Sequence, residues 1–123
     1  MHFGDFEGRT NAELAHTPAY IEWVAGKGYG ACPNGEDVER FTLRVAGAFA
    51  KLVDAALADG EPSLTVVAHG GTIMALMQYF AVPKKQHYLG WDVPNCGGWQ
   101  AIADAETWFS EHILLTPARI GVR

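Results

Sequence analysis

Apolar residues recur at helical spacing in one long stretch of this chain, residues 36–58. The stripe consists of Val38, Phe41, Val45, Phe49 and Leu52. A single apolar stripe of this kind predicts an amphipathic helix whose charged residues lie mostly on the other side. Residues 36 and 37 are acidic and lie in the predicted first turn, where they suit the helix dipole. Glycine at position 60 and proline at position 62 then end the helix.

Two shorter helices are predicted before this stretch. Thr10 and Glu13 have the spacing of a capping box, which predicts a short helix directly after residue 10. Pro18 fits the first turn of a second helix over residues 17–24. Residues 1–9 are rich in glycine and aromatic residues and predict a loop, and the glycines and proline of residues 26–33 predict another.

The second half of the chain has the pattern of an α/β domain. Residues 64–68 are a short apolar run between turn residues, which predicts a buried strand. After the glycines at 70 and 71, residues 72–80 predict an almost wholly apolar helix. Residues 99–103 and 108–115 predict two strands joined as a hairpin through residues 104–107. This order predicts one layered α/β domain over residues 1–123.

Composition and charge limit the functional classes. The chain has 123 residues, 49% of them apolar, and a net charge of −5. The acidic balance argues against binding to duplex nucleic acid, but not against a small anionic substrate. No apolar stretch is long enough for a membrane span and no signal peptide is visible, so we expect a cytoplasmic protein without a membrane partner.

The cysteines and histidines do not indicate a metal site. Cys32 and Cys96 are far apart in the sequence. We expect both to be reduced, although the sequence leaves a disulfide open. Since no cluster has metal-ligand spacing, we expect no bound metal.

His69 follows the predicted strand and precedes the predicted helix. In α/β sheets, ligands bind beyond the carboxyl ends of the strands. Gly70 and Gly71 let the backbone approach a ligand, and the free amides of a helix N-terminus attract an anion. An imidazole beside them can donate a hydrogen bond to phosphate. The segment therefore predicts an anion site at His69, with a buried structural histidine as the alternative.

Four segments of the chain together resemble the histidine phosphatase superfamily, the phosphoglycerate-mutase-like phosphoesterases. Residues 3–10 resemble the family's G-x-x-E-G-x-T segment, and residues 66–73 resemble its second histidine motif. Pro33-Asn-Gly-Glu36, followed by Arg44, resembles a helix-start motif, and residues 94–96 resemble an asparagine-containing turn. The resemblance covers residues 1 to about 115, and it is nearest to the branch of α-ribazole phosphatases and broad-specificity phosphatases. It implies a three-layer αβα sandwich.

The resemblance also implies an activity and a set of site residues. The activity is that of a phosphomonoesterase that acts on a small phosphorylated metabolite through a phosphohistidine and uses no cofactor. The expected ligand is that metabolite, or phosphate or sulfate. His69 is implied as the assisting catalytic histidine. Contacts to phosphate or substrate are implied for Gly70, Gly71, His2 and Phe3, and supporting roles for Glu7, Glu36 and Asn95.

The chain departs from the family pattern at the catalytic centre. No Arg-His-Gly, which carries the family's nucleophile, occurs in the sequence, and the family's catalytic acid would precede Met1. We therefore expect an N-terminally truncated fold, a chain that is inactive alone, and a homo-oligomer that covers the missing strand. A start codon assigned too late is the explanation we favour, while a fragment and a genuine short form stay open. The alternative function is a non-catalytic phosphate-binding or protein-interaction module.

Overall fold

The computed structural model describes residues 1–121. The chain divides into two compact units, Met1–Arg44 and Val45–Arg123, and the division falls within its longest helix. No helix among the described residues is both long and apolar enough to cross a membrane. The helices are α1 (Asn11–Leu14), α2 (Pro18–Ala25), α3 (Val38–Ala58), α4 (Gly70–Phe80) and α5 (Ala105–Glu111), and the strands are β1 (Ala81–Val82), β2 (Gly98–Ile102) and β3 (Leu114–Ile120).

The short helices of the first unit begin where the capping signals predict. The Thr10 hydroxyl accepts a hydrogen bond from the Glu13 amide at 3.3 Å, and the Glu13 carboxylate accepts one from the Thr10 amide at 2.7 Å. Both halves of the capping box are therefore present. Pro18 is the first residue of α2, which confirms the predicted start of that helix to within one residue. A small core of Phe6, Leu14 and Cys32 is buried in this unit.

The helix α3 begins at Val38, two residues later than the sequence pattern predicts. The Asp37 carboxylate accepts a hydrogen bond from the Arg40 amide at 2.7 Å. This bond satisfies one of the amides at the helix start, as an N-terminal capping residue does. Glu36 lies outside the helix, so the prediction that both acids occupy its first turn is wrong.

The second unit contains a small mixed sheet in the strand order β1-β3-β2. Strand β1 pairs with β3 in parallel, and β2 pairs with β3 in antiparallel orientation. Helices combined with this sheet confirm the predicted α/β class and are consistent with a phosphoglycerate-mutase-like fold.

The buried strand predicted for residues 64–68 is wrong. These residues belong to no strand. Leu64, Val66 and Val67 expose 43%, 41% and 94% of their surface. An apolar run becomes a strand only where a neighbouring strand pairs with its backbone, and among residues 1–121 the three strands pair only with one another. The apolar pattern of these residues is visible in the sequence, whereas the presence or absence of a strand that pairs with them is not.

The hairpin predicted for residues 99–115 is also wrong, because α5 lies between its two strands. The Asp104 carboxylate accepts a hydrogen bond from the Thr107 amide at 3.0 Å and so caps this helix. Trp108 is fully buried as a helical residue rather than as the start of a strand. The antiparallel pairing itself is present, between β2 and the later strand β3.

Two apolar clusters form the core of the second unit. The larger contains Phe80, Trp108 and Leu114 with Val53 of α3, and the smaller contains Met77, Ala81 and Trp91. The buried indole of Trp108 donates a hydrogen bond to the Asp54 carboxylate at 2.8 Å. Because this polar atom is satisfied, the core accommodates the large ring without an unpaired donor.

Candidate functional site

The helix α4 begins directly after His69, two residues earlier than predicted. The His69 carbonyl accepts hydrogen bonds from the amides of Thr72 at 2.9 Å and Ile73 at 3.1 Å. The amides of Gly70 and Gly71 precede these bonds and are the free donors of the helix N-terminus. The His69 side chain is exposed and makes no capping bond to the helix. An imidazole and two amide donors therefore lie together at the positive end of a helix dipole.

The two glycines after His69 leave this helix start uncovered. Neither glycine adopts a positive φ, so the backbone alone does not require glycine there. A Cβ at Gly71 would meet nothing within 4 Å, and a Cβ at Gly70 would meet only Val93 Cγ2, at 3.9 Å. Because neither position carries a side chain, a ligand can approach the backbone amides at this helix start.

A cavity of about 440 Å³ lies beside the helix start. Three of the predicted site residues, His69, Gly70 and Asn95, line it, whereas Gly71 does not. Six further residues line the cavity without having been assigned to the site from the sequence, namely Ala68, Ile73, Val93, Pro94, Cys96 and Gly97.

A tight turn at residues 94–97 forms a wall of the cavity. The Gly97 amide donates a hydrogen bond to the Pro94 carbonyl at 2.9 Å. Cys96 has a φ of +63°. A Cβ at Gly97 would lie 2.8 Å from Pro94 Cδ, so this position requires glycine. The turn composition of Pro-Asn-Cys-Gly was a signal for this loop, but nothing in the sequence connected Val93 with His69.

Contacts of Lys85 and Trp91 hold the chain that leads into this wall. The Lys85 ammonium donates a hydrogen bond to the Gly90 carbonyl at 2.6 Å and lies 4.5 Å and 4.4 Å from the ring centroids of Trp91 and Trp99. The Trp91 indole donates to the Gln78 side chain at 2.7 Å. Lys84 likewise donates to the carbonyls of Gln78 and Tyr79 at the end of α4.

The remaining four predicted site residues, His2, Phe3, Glu7 and Glu36, lie in the first unit. The Phe3 amide donates a hydrogen bond to Glu7 Oε1 at 2.8 Å, and the His2 amide donates to Glu36 Oε2 at 2.8 Å. The Gly4 amide donates to His2 Nδ1 at 3.2 Å, which leaves Nε2 to carry the proton of the neutral ring. The two carboxylates thus hold the backbone of residues 2 and 3, while both side chains of those residues are exposed.

Glu36 is also the partner of Arg44. Arg44 Nε donates to Glu36 Oε1 at 2.7 Å, and Arg44 Nη2 donates to Oε2 at 3.0 Å. The bonds from Arg44 and from the His2 amide stabilise the ionised carboxylate and lower the pKa of Glu36 to about 2. Sequence reasoning did not pair these residues, because a separation of eight residues across a helix start follows no local spacing rule.

The site residues do not assemble a metal centre in the part of the chain that the structure describes. Residues 1–121 contain no group of three or more histidine, cysteine, aspartate or glutamate side chains placed to hold an ion. Cys32 and Cys96 are both free thiols, the first buried and the second exposed. Burial raises the pKa of the Cys32 thiol, which favours its unreactive protonated form.

Comparison with known proteins bears on the same residues. A family model described as the histidine phosphatase superfamily (branch 1) matches residues 1–113. No curated protein and no solved structure gives a significant match. The matched range includes the His69 helix start, the residue 94–97 turn and the carboxylate-bound segment at residues 2–7. The chain therefore belongs to branch 1 of the histidine phosphatase superfamily.

Proposed function

We propose that the cavity beside His69 binds the phosphoryl group of a small phosphomonoester, as one part of a phosphatase active site. Family membership supports a phosphatase-type or related function. The proposal that this cavity binds a phosphoryl group rests on one observation: His69, Gly70 and Asn95 line the same cavity at the start of α4.

Each group at this helix start has a chemical role in the proposal. The amides of Gly70 and Gly71 donate hydrogen bonds to phosphoryl oxygens, and the helix dipole favours their negative charge. The His69 imidazole donates a further hydrogen bond and, when protonated, offsets charge that develops on the phosphoryl oxygens during transfer. The Asn95 amide, in the residue 94–97 turn, has both a donor and an acceptor for the rest of the substrate.

The covalent step of the family's reaction needs a nucleophilic histidine in an Arg-His-Gly segment. The 123 residues contain no such segment. We therefore propose that this chain alone binds phosphate at His69 without forming a phosphohistidine, and that turnover requires a nucleophile the chain does not itself supply. Removing even one group that stabilises the transition state costs about 10²–10³ in rate, so the chain alone should show no measurable turnover.

A second candidate function is a non-catalytic phosphate-binding or protein-interaction module. The cavity beside His69 is compatible with it, because binding a phosphate there requires only the imidazole and the amides at the start of α4. The two candidates share the binding site and differ in whether any phosphoester is cleaved.

Calorimetric titration with inorganic phosphate, followed by an assay with p-nitrophenyl phosphate, tests the proposal. We expect saturable phosphate binding that weakens about tenfold in His69→Ala and stays unchanged in His16→Ala, a control at another exposed histidine. We expect no hydrolysis by the chain alone. Hydrolysis that disappears in His69→Ala would show that the chain is a complete enzyme, and binding unaffected by His69→Ala would refute the site.

A further inference from the structure

The cavity beside His69 is lined by residues of two chemical kinds. His69 and Gly70, at the helix start, line it together with the apolar residues Val93 and Pro94. Val93 Cγ2 lies 3.9 Å from the position of a Cβ on Gly70, so this methyl group stands directly beside the helix start. A ligand whose phosphate lies at the helix start therefore brings its esterified group within reach of Val93.

Contacts of the neighbouring residues position Val93 beside the helix start. The residue 94–97 turn is closed by the Gly97–Pro94 hydrogen bond of 2.9 Å. On the other side of Val93, Asp92 forms an ion pair with Arg119 at 3.1 Å, and Trp91 is buried. These contacts order the backbone on either side of Val93.

The charge of the lining residues is the second observation. Among the described residues that line the cavity there is no lysine, arginine, aspartate or glutamate, and His69 is the one basic side chain. If His69 contacts the phosphate, a second anionic group on the ligand would lose water without gaining a cationic partner. An uncharged ring would instead contact the apolar wall and exchange hydrogen bonds with Asn95.

We infer that the site selects phosphomonoesters whose alcohol is uncharged and about the size of one ring, such as an aryl or pentosyl group. It discriminates against esters whose alcohol bears a carboxylate or a second phosphate. This inference rests on the proposed function, because it takes the phosphate to lie at His69. A cavity of about 440 Å³ is within the usual range for small-molecule sites and has room for such a ligand.

Three probes that share a phosphorus oxyanion test the inference in the full chain: inorganic phosphate, phenylphosphonate and phosphonoacetate. Titrations followed by the amide NMR signal of Gly70 give each affinity. We expect phenylphosphonate to bind about tenfold more tightly than phosphate, because its ring covers apolar surface. We expect phosphonoacetate, which has a carboxylate in place of the ring, to bind no more tightly than phosphate.

Variants at Val93 show whether this wall causes the preference. Val93→Lys should remove the advantage of phenylphosphonate and raise the affinity for phosphonoacetate at least threefold, while Ile102→Lys, at an exposed position of β2, should change neither. If Val93→Lys does not fold, Val93→Thr replaces it, because threonine preserves the shape of the side chain. This variant should reduce the preference for phenylphosphonate about threefold.

The outcomes separate this inference from the function on which it rests. Phosphate binding combined with equal or tighter binding of phosphonoacetate than of phenylphosphonate would overturn the inferred selectivity and leave the phosphate site standing. Absence of any Gly70 shift with all three probes would overturn both. An unchanged preference in folded Val93→Lys would also overturn the role of this wall.

Discussion

Glu36 and Arg44 form a two-bond ion pair, with donor–acceptor distances of 2.7 Å and 3.0 Å, and the same carboxylate accepts the His2 amide. One side chain thus connects the start of α3 with the segment that carries His2 and Phe3. Charge-assisted pairs of this geometry are stronger than neutral hydrogen bonds. The connection explains how a loop without regular structure at residues 1–3 keeps a defined backbone.

The first prediction concerns the pH dependence of stability. Because the folded-state pKa of Glu36 is lowered to about 2 from an ordinary value of 4.5, its contribution is fully present above about pH 4.5 and is lost as the pH falls toward 2. Glu36→Gln should lower the free energy of unfolding at pH 6 by about 1 kcal/mol, a modest value because Arg44 is largely exposed.

Urea denaturation at pH 6 and pH 3 measures this difference. The free energy of unfolding of the wild type should exceed that of Glu36→Gln by less at pH 3 than at pH 6. Glu22→Gln, at an exposed site on α2, should be as stable as the wild type at both pH values. An advantage that is equal or larger at pH 3 would contradict the assigned role of Glu36.

The second prediction compares two glycines with positive φ in the first unit. A Cβ at Gly4 would lie 2.0 Å from the Pro33 carbonyl oxygen, while a Cβ at Gly8 would meet nothing within 4 Å. Gly8→Ala should therefore cost only the backbone strain, about 1 kcal/mol, and Gly4→Ala at least about 2 kcal/mol more. Denaturation curves of both variants check this, and equal losses would show that the two loops do not approach each other so closely.

The third prediction concerns Lys85 and the wall of the cavity. Lys85→Met keeps the length of the side chain but removes the hydrogen bond to Gly90 and the cation–π contacts with two tryptophans. We expect a loss of about 1–2 kcal/mol in stability and amide shift changes at residues 90–97. Lys51→Met, on the exposed surface of α3, is the control. Unchanged shifts at residues 90–97 would mean that Lys85 does not hold the wall.

The fourth prediction concerns residues 64–68, whose apolar sequence pairs with no strand among residues 1–121. We propose that a second copy of the chain covers this segment. The run from 62 to 68 has no charged residue, so two copies can pair there in antiparallel orientation without like charges facing each other, although each chain carries a net charge of −5.

Sedimentation of the wild type and of Val67→Lys tests this pairing. Val67 is 94% exposed, so lysine there should not disturb the folded chain. We expect a wild-type dimer at micromolar concentration, a Val67→Lys monomer, and no effect of Phe109→Lys on the exposed surface of α5. A stable, well-folded wild-type monomer at high concentration would rule the pairing out.

Local signals in the sequence predicted the helices better than the strands. The capping box at Thr10, the proline at position 18 and the apolar stripe of α3 act within one or two helical turns, and each appears in the structure close to its expected place. Residues 64–68 have strand composition, but pairing depends on residues far away in the sequence. The aromatic residues at 108 and 109 suggested a strand, while the capping aspartate at 104 indicated the helix that forms.

The residues of the candidate site also differ in whether local signals in the sequence predict them. His69 and Gly70 were predictable because a histidine and glycines at a helix start have local chemistry that a sequence displays. Asn95 was named through the family resemblance. Val93 was not, because its position beside Gly70 results from the packing of Trp91 and the turn that follows, which no sequence spacing encodes.

Titration of ¹⁵N-labelled protein with inorganic phosphate, followed at the backbone amide of Gly70, tests the central claim most directly. We predict a saturable shift at Gly70 and Asn95 in the wild type, and a large reduction of both shifts in His69→Ala with the fold intact. The claim that His69 and the start of α4 form a phosphate site is contradicted if these signals do not respond to phosphate, or respond equally in the variant.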